Sequence, residues 1–262
     1  MERVGCFGKV RSCGDFISRH IPHAIESKFN DWLDAGLIET KHKFQQRWLD
    51  YYLTSPVWNF VIAWPAQDRS VAGVMMPSMD KVGRYFPLIA LHEIEGNGSL
   101  KLDLNQDIED LLLSSLDKGL ELEDFIAGLD QIGGNNRFSR EVPIKEVTRI
   151  HTHNLGNLEK ISSQLLARNH LSQETANDNF AIYQHESETN VQPQSIWWTR
   201  GSEQMGPTML CCQEFPPIEG IHATLDGSWV ESGWSQINPQ LEQEDSEHQS
   251  DNKKLTMEVC SD

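Results

Sequence analysis

Val57-Trp58-Asn59-Phe60-Val61-Ile62-Ala63-Trp64, Val71-Ala72-Gly73-Val74-Met75-Met76 and Tyr85-Phe86-Pro87-Leu88-Ile89-Ala90-Leu91-His92 decide the fold. Each run is short, β-branched and aromatic, and the first two end at Pro65 and Pro77. Runs of this length and composition bounded by turn residues predict adjacent strands of one sheet. Pro87 has no N–H to give a ladder, so it belongs at a strand start or edge.

On the N-terminal side the period changes. Ile25, Phe29, Trp32, Leu33 and Leu37 recur at spacings of three and four after Pro22, predicting a helix with one apolar face. Phe44, Trp48, Tyr51 and Tyr52 predict a second helix that stops at Pro56. Residues 2–10 read as a strand and Arg11–Asp15 as a loop. On the C-terminal side, residues 106–118, 121–131 and 155–168 read as helices, with a break at Gly133-Gly134-Asn135-Asn136. Ser195-Ile196-Trp197-Trp198-Thr199 and Thr208-Met209-Leu210-Cys211-Cys212 read as late strands. This order predicts an α/β chain, most simply a three-layer α/β/α sandwich with a mixed central sheet. Trp197 and Trp198 are successive strand residues and face opposite sides, one ring toward the core and the other toward a helix layer or a partner.

Beyond Gln236 the apolar pattern fails. Residues 236–262 carry seven acidic side chains (Glu242, Glu244, Asp245, Glu247, Asp251, Glu258, Asp262) against Lys253 and Lys254. Such a segment buries too little apolar area to offset its ordering entropy, so the expected division is a globular domain over 1–235 and a disordered acidic tail over 236–262.

The formal net charge of -17 argues against nucleic-acid partners and anionic membrane surfaces. No apolar run is long enough to span a bilayer, and the start lacks the apolar core of a secretory signal. The 5 cysteines are irregularly spaced, which fits a reduced, cytoplasmic protein.

The candidate chemistry is sparse. Gly5-Cys6-Phe7-Gly8-Lys9-Val10 invites a phosphate-loop reading, but two residues separate the glycines instead of four and Val10 follows the lysine. Those glycines are better explained by tight backbone geometry. Ser78 lacks the glycine-framed elbow of a serine hydrolase. His151 and His153 are a weak metal pair without further ligands, and Cys6 and Cys13 lack zinc-knuckle spacing. No metal, cofactor or catalytic residue is therefore assigned. Asp15, Arg19, Asp80 and Arg84 stand beside aromatic residues. They form either an internal ion-pair network or a recognition surface, since arginine beside aromatics is also the composition of interface hot spots. The loops around Asp15–Arg19 and Ser78–Arg84 are expected to converge beside Phe16 and Phe86. The candidate partner-binding residues are thus Asp15, Arg19, Ser78, Asp80, Arg84, Trp197 and Trp198. A direct Asp15–Arg84 pair is the competing internal account.

Several of these motifs occur together in one family. Gly5-x-x-Gly8-Lys9, then Gly14-Asp15-Phe16-x-x-Arg19, resembles the opening of TagF/ImpM proteins. So do Trp48…Tyr52-Leu53-x-Ser55-Pro56-Val57-Trp58-x-Phe60 and Gly73-Val74-x-Met76-Pro77-Ser78-x-Asp80-x-x-Gly83-Arg84-x-Phe86-Pro87-Leu88. Ser195-Ile196-Trp197-Trp198-Thr199-x-Gly201 is also similar, whereas residues 135–194 carry no family signature. The resemblance implies an α/β/α accessory protein of bacterial type VI secretion. It further implies post-translational repression of assembly or firing through the machine's forkhead-associated-domain scaffold protein, with no catalytic residues to carry over. The alternatives are a hydrolase using the Ser78/Asp80/Arg84 segment and a structural adaptor of the secretion baseplate.

Overall fold

The computed structural model describes residues 3–64, 68–96, 98–117, 119–135, 140–144, 164–165, 181–188 and 193–237. Its strands are β1 (Val4–Lys9), β2 (Phe16–Arg19), β3 (Trp58–Trp64), β4 (Arg69–Met76), β5 (Leu88–Glu95), β6 (Ser99–Lys101), β7 (Glu141–Pro143), β8 (Ala181–His185), β9 (Ser195–Thr199), β10 (Thr208–Cys212) and β11 (Trp234–Ile237). Its helices are α1 (His23–Phe44), α2 (Trp48–Thr54), α3 (Leu102–Ser114), α4 (Leu122–Gly134) and α5 (Ala223–Asp226).

Nine strands form one sheet in the order β11-β8-β10-β9-β3-β4-β5-β1-β2. Its ladders are antiparallel except that between β10 and β8, so the sheet is mixed. Its centre is the β3–β4–β5 meander, formed by the three apolar runs. The third strand starts at Leu88, immediately after Pro87, so Tyr85 and Phe86 belong to the preceding loop.

The period-two pleat sends alternate residues to the two faces of the sheet, which carry three apolar clusters, one of them built around Trp198, Leu100 and Val142. Phe7, Phe60, Ile62, Ile89, Leu91, Trp197 and Leu210 face α1, which contributes Ile25, Phe29, Trp32 and Leu33. On the other face, Val4, Cys6, Val74, Leu88 and Ala90 meet Leu104, Ile108 and Leu112 of α3 and Phe125 and Leu129 of α4. Helix α1 carries Glu26 in its first turn and Lys41, His42 and Lys43 in its last, both favourable to the helix dipole. Its aromatic residues knit the first core, with Trp32 and Phe60 ring centroids 5.3 and 4.8 Å from Trp197.

Several expectations need correction. The loop after residue 10 is the turn of a hairpin, because Phe16–Arg19 pairs with β1 as an edge strand. Helix α3 starts at Leu102, earlier than 106, and α4 runs through Gly133 and Gly134, so the break begins at Asn135. The predicted helix at 155–168 lies outside the described residues except for Gln164 and Leu165, which are helical. β11 extends through Gln236 and Ile237, so the globular part ends later than 235; the rest of the tail lies outside the described residues.

Candidate functional site

Two loops meet beside the β1–β2 edge of the sheet. Residues 10–15 turn β1 into β2, and residues 77–87 carry β4 into β5. Gly8 is required where they approach: its φ is +122°, and a side chain there would strike the carbonyl of Pro87. Lys81 N donates to Cys13 O at 2.9 Å, and Ser78 Oγ donates to Lys9 O at 2.7 Å. The rings follow, with Phe16 5.3 Å from Phe86 and 6.4 Å from Phe7. The expected convergence of the two segments is therefore present.

The buried hub of this junction is Asp80. Its Oδ1 accepts the backbone N–H groups of Val82 at 3.1 Å and Arg84 at 2.8 Å, closing the turn on itself. Its Oδ2 takes Lys9 Nζ at 2.9 Å and Arg84 Nε at 2.6 Å. Burial works to raise the Asp80 carboxyl, but the hydrogen bonds from Lys9, Arg84 and Val82 outweigh it and hold it well below the usual carboxylate range. Arg84 Nη2 also donates to Gly14 O, stapling one loop to the other. From α2, the Tyr52 hydroxyl donates to Ser78 O at 2.9 Å and accepts Ser78 N at 3.0 Å, fixing the loop from below.

The candidate residues thus separate into brace and surface. Ser78 and Asp80 are buried and serve the loop's own backbone. Arg84 pairs with Asp80, so the Asp15–Arg84 pair does not form; Asp15 is exposed. Arg19 is exposed, and its guanidinium returns to Ser18 O at 2.8 Å. Trp197 and Trp198 do face opposite sides, but helices and strands cover both, so neither ring is available to a partner. What the junction offers to solvent is Asp15, Arg19, Lys81, Phe16 (41% exposed), Val82 (69%) and the side chain of Arg84 (59%). Sequence reasoning missed Val82; the available signal was a β-branched apolar residue inside the turn Asp80–Arg84.

A second polar cluster escaped sequence reasoning altogether. Beneath the sheet, Glu109 of α3 accepts Asn59 Nδ2 at 2.8 Å and Arg200 Nη1 at 2.7 Å, and Asn105 Nδ2 donates to Gly73 O at 3.2 Å. These contacts tie α3 to β3, β4 and the end of β9. An apolar cavity of about 60 Å3 lies between α1, α2 and α5, lined by Trp32, Leu37, Tyr52, Trp58, Ile221 and Leu225. Among the described residues no group of His, Cys, Asp and Glu could hold a metal, and no helix is long and apolar enough to cross a membrane. His151 and His153 lie outside those residues.

Fold and site together define an α/β protein in which a mixed sheet presents two braced loops at one edge. The family model of the TagF N-terminal domain, type VI secretion system-associated, matches residues 5–132, which contain both loops. The crystal structure of PA0076 from Pseudomonas aeruginosa PAO1 is similar, with a TM-score of 0.60 and 30% identity over 86% of this chain and 94% of that one. No curated protein matches. The chain belongs to the TagF/ImpM family of type VI secretion-associated proteins.

Proposed function

We propose that this chain is a cytoplasmic, non-catalytic regulator that represses type VI secretion assembly or firing by binding the machine's forkhead-associated-domain scaffold protein. The docking surface in this reading is the rim of Phe16, Arg19, Lys81, Val82 and Arg84. The observation that carries it is the exposure of Val82 and Phe16 on loops whose backbone is pinned by Asp80, Ser78 and Tyr52. Apolar and cationic side chains held on a pinned backbone bind at little ordering cost. α1 on one face of the sheet and α3 and α4 on the other favour reading the architecture as a three-layer α/β/α sandwich.

The hydrolase alternative has less support. The Ser78 hydroxyl is buried and donates to a backbone carbonyl, and the Asp80 carboxylate is occupied by two cations. A nucleophile needs a base within reach.

The test is a deletion strain complemented with the parent or with Val82→Asp. Repression predicts that deletion raises effector release, the parent lowers it, and Val82→Asp fails to lower it at equal abundance. Lower release in the deletion strain would assign the chain to assembly and overturn the repressor reading.

A further inference from the structure

At the β11 edge of the sheet two buried histidines close on one serine. The turn Trp229–Gly233 leads from α5 toward β11, and within it Ser232 N and Trp234 N both donate to Trp229 O, at 3.1 and 3.0 Å. His185 of β8 meets the carbonyl of Ser232 through Nε2 at 3.1 Å. His222, the residue before α5, meets the Ser232 hydroxyl through Nε2 at 2.7 Å. His185, His222 and Ser232 are all buried. The Trp234 ring packs on His185 at 5.2 Å and on Trp229 at 5.7 Å.

Counting protons fixes both tautomers. Ser232 Oγ has one hydrogen and lies 2.5 Å from Ser228 O, which only accepts, so that hydrogen is spent there. His222 therefore gives its Nε2–H to Ser232 Oγ, and its Nδ1 is a bare lone pair. That nitrogen is sealed from solvent and has no hydrogen-bond partner among the described residues. Ser232 O likewise only accepts, so His185 gives its own Nε2–H, and its Nδ1 accepts Ser187 N at 3.3 Å. The Ser228 hydroxyl is turned to Asp226 Oδ1 at 2.7 Å.

We propose that His222 is a proton-operated latch on this turn: neutral, it ties the turn to α5; protonated, it leaves Ser232 for water and frees the turn and β11. The second proton has to enter at Nδ1, where no acceptor stands, and a buried N–H without a partner is costly. Lys43 at the end of α1 repels the cation, while Asp226 of α5 and Glu39 of α1 attract it. Burial and Lys43 prevail and hold the imidazole below its usual range. Around it, the Phe44 ring stands 6.4 Å away with Tyr51 of α2 packed on that ring. His185 lies across Ser232, and Glu231 of the turn is exposed. A freed His222 takes up its proton at about pH 6.5 and the latched one only lower, so closure weakens as pH falls through that window. Glu188 titrates in the same range with the opposite sign, so such a weakening is not its doing. The latch sits at the sheet edge opposite the rim, and its test needs no partner protein.

The experiment follows amide hydrogen exchange in the full chain at pH 7.5 and 5.5, each rate corrected for the intrinsic pH dependence of exchange. Protection at Ser232, Gly233 and Trp234 should fall by about three- to tenfold, ten being the one-proton ceiling one pH unit below the free imidazole value. The amides of β3, β4 and β5 should keep theirs. His222→Gln keeps a donor for Ser232 but takes up no proton, so its protection at the turn should not fall. Lys43→Gln lightens the repulsion and should shrink the parental fall. Ring nitrogen shifts of His222 at pH 7.5 should report the Nε2–H tautomer. Unchanged protection in the parent, an equal fall in His222→Gln, or a fall shared by β3–β5 overturns the inference, as does an Nδ1–H tautomer. Should His222→Gln fail to fold, Lys43→Gln decides, and a fall as large as the parent's overturns the latch.

Discussion

Tyr52→Phe removes one oxygen atom and isolates the brace beneath the loop. The ring stays stacked on Trp48, 4.8 Å between centroids, so little apolar burial is lost. The hydroxyl serves two buried groups, Ser78 O and Ser78 N. Ser78 O keeps Phe86 N at 3.1 Å as a second partner, whereas Ser78 N has no replacement in the hydrogen-bond network. Losing the O–H···O bond costs about 1 kcal/mol, and stranding a buried N–H costs about 1–3 kcal/mol more. The total is about 2–4 kcal/mol, or roughly 5–12 °C in melting temperature for a domain of this size. Burial pushes the Tyr52 hydroxyl further above its usual range, so the bond persists across working pH. Thermal and urea unfolding of parent and Tyr52→Phe measure this directly. A variant that melts within 1 °C of the parent, at unchanged urea slope, would refute the claim that Tyr52 holds the loop.

Trp197→Ala and Trp198→Ala should each cost about 3–5 kcal/mol in chemical denaturation, because each ring fills a separate core. A near-native melt for either would return that ring to the surface. Glu109→Ala leaves Arg200 and Asn59 without their carboxylate and should cost about 3 kcal/mol; a loss below 1 kcal/mol would mean that water replaces it. Burial raises the Glu188 carboxyl to about 6 from 4.5, so the folded chain holds a proton that the unfolded chain releases, and stability falls as pH rises through that window. Glu188→Gln should therefore stabilise the fold at pH 7.5 by about 1 kcal/mol after allowance for solvent screening, with the gain vanishing below about pH 4.5. A gain that persists at pH 4 would point to a cause other than the charge.

The centre of the sheet was legible because β3, β4 and β5 are buried on both faces and so read as continuous apolar runs. The edges were not. Phe16-Ile17-Ser18-Arg19 is too short to show a period, and Trp234-Ser235-Gln236-Ile237 has two exposed polar residues in four. Both strands owe their existence to a ready neighbour rather than to their own pattern. At the site, the Asp80–Arg84 turn was visible as a charged, glycine-containing motif. That Lys9, 71 positions away, completes the brace was not, because a long-range ion pair leaves no mark in local spacing. One ring of the Trp197–Trp198 pair was assigned to a helix layer or a partner because alternation fixes which side a ring faces but not what covers that side. Here β6 and β7 supply Leu100 and Val142 to the cluster of Trp198.

We propose the rim above the Asp80 brace as the contact surface for the scaffold protein. Calorimetric titration of the purified full chain against the purified scaffold protein tests it, using Val82→Asp and Ile38→Asp. Both side chains are largely exposed, at 69% and 70%, but Ile38 lies on α1 and belongs to neither loop. Substitutions at such exposed positions move stability by about 0.5 kcal/mol or less, so affinity is read without unfolding. The account predicts at least a tenfold loss of affinity for Val82→Asp and parental affinity for Ile38→Asp. Parental affinity for Val82→Asp would contradict it.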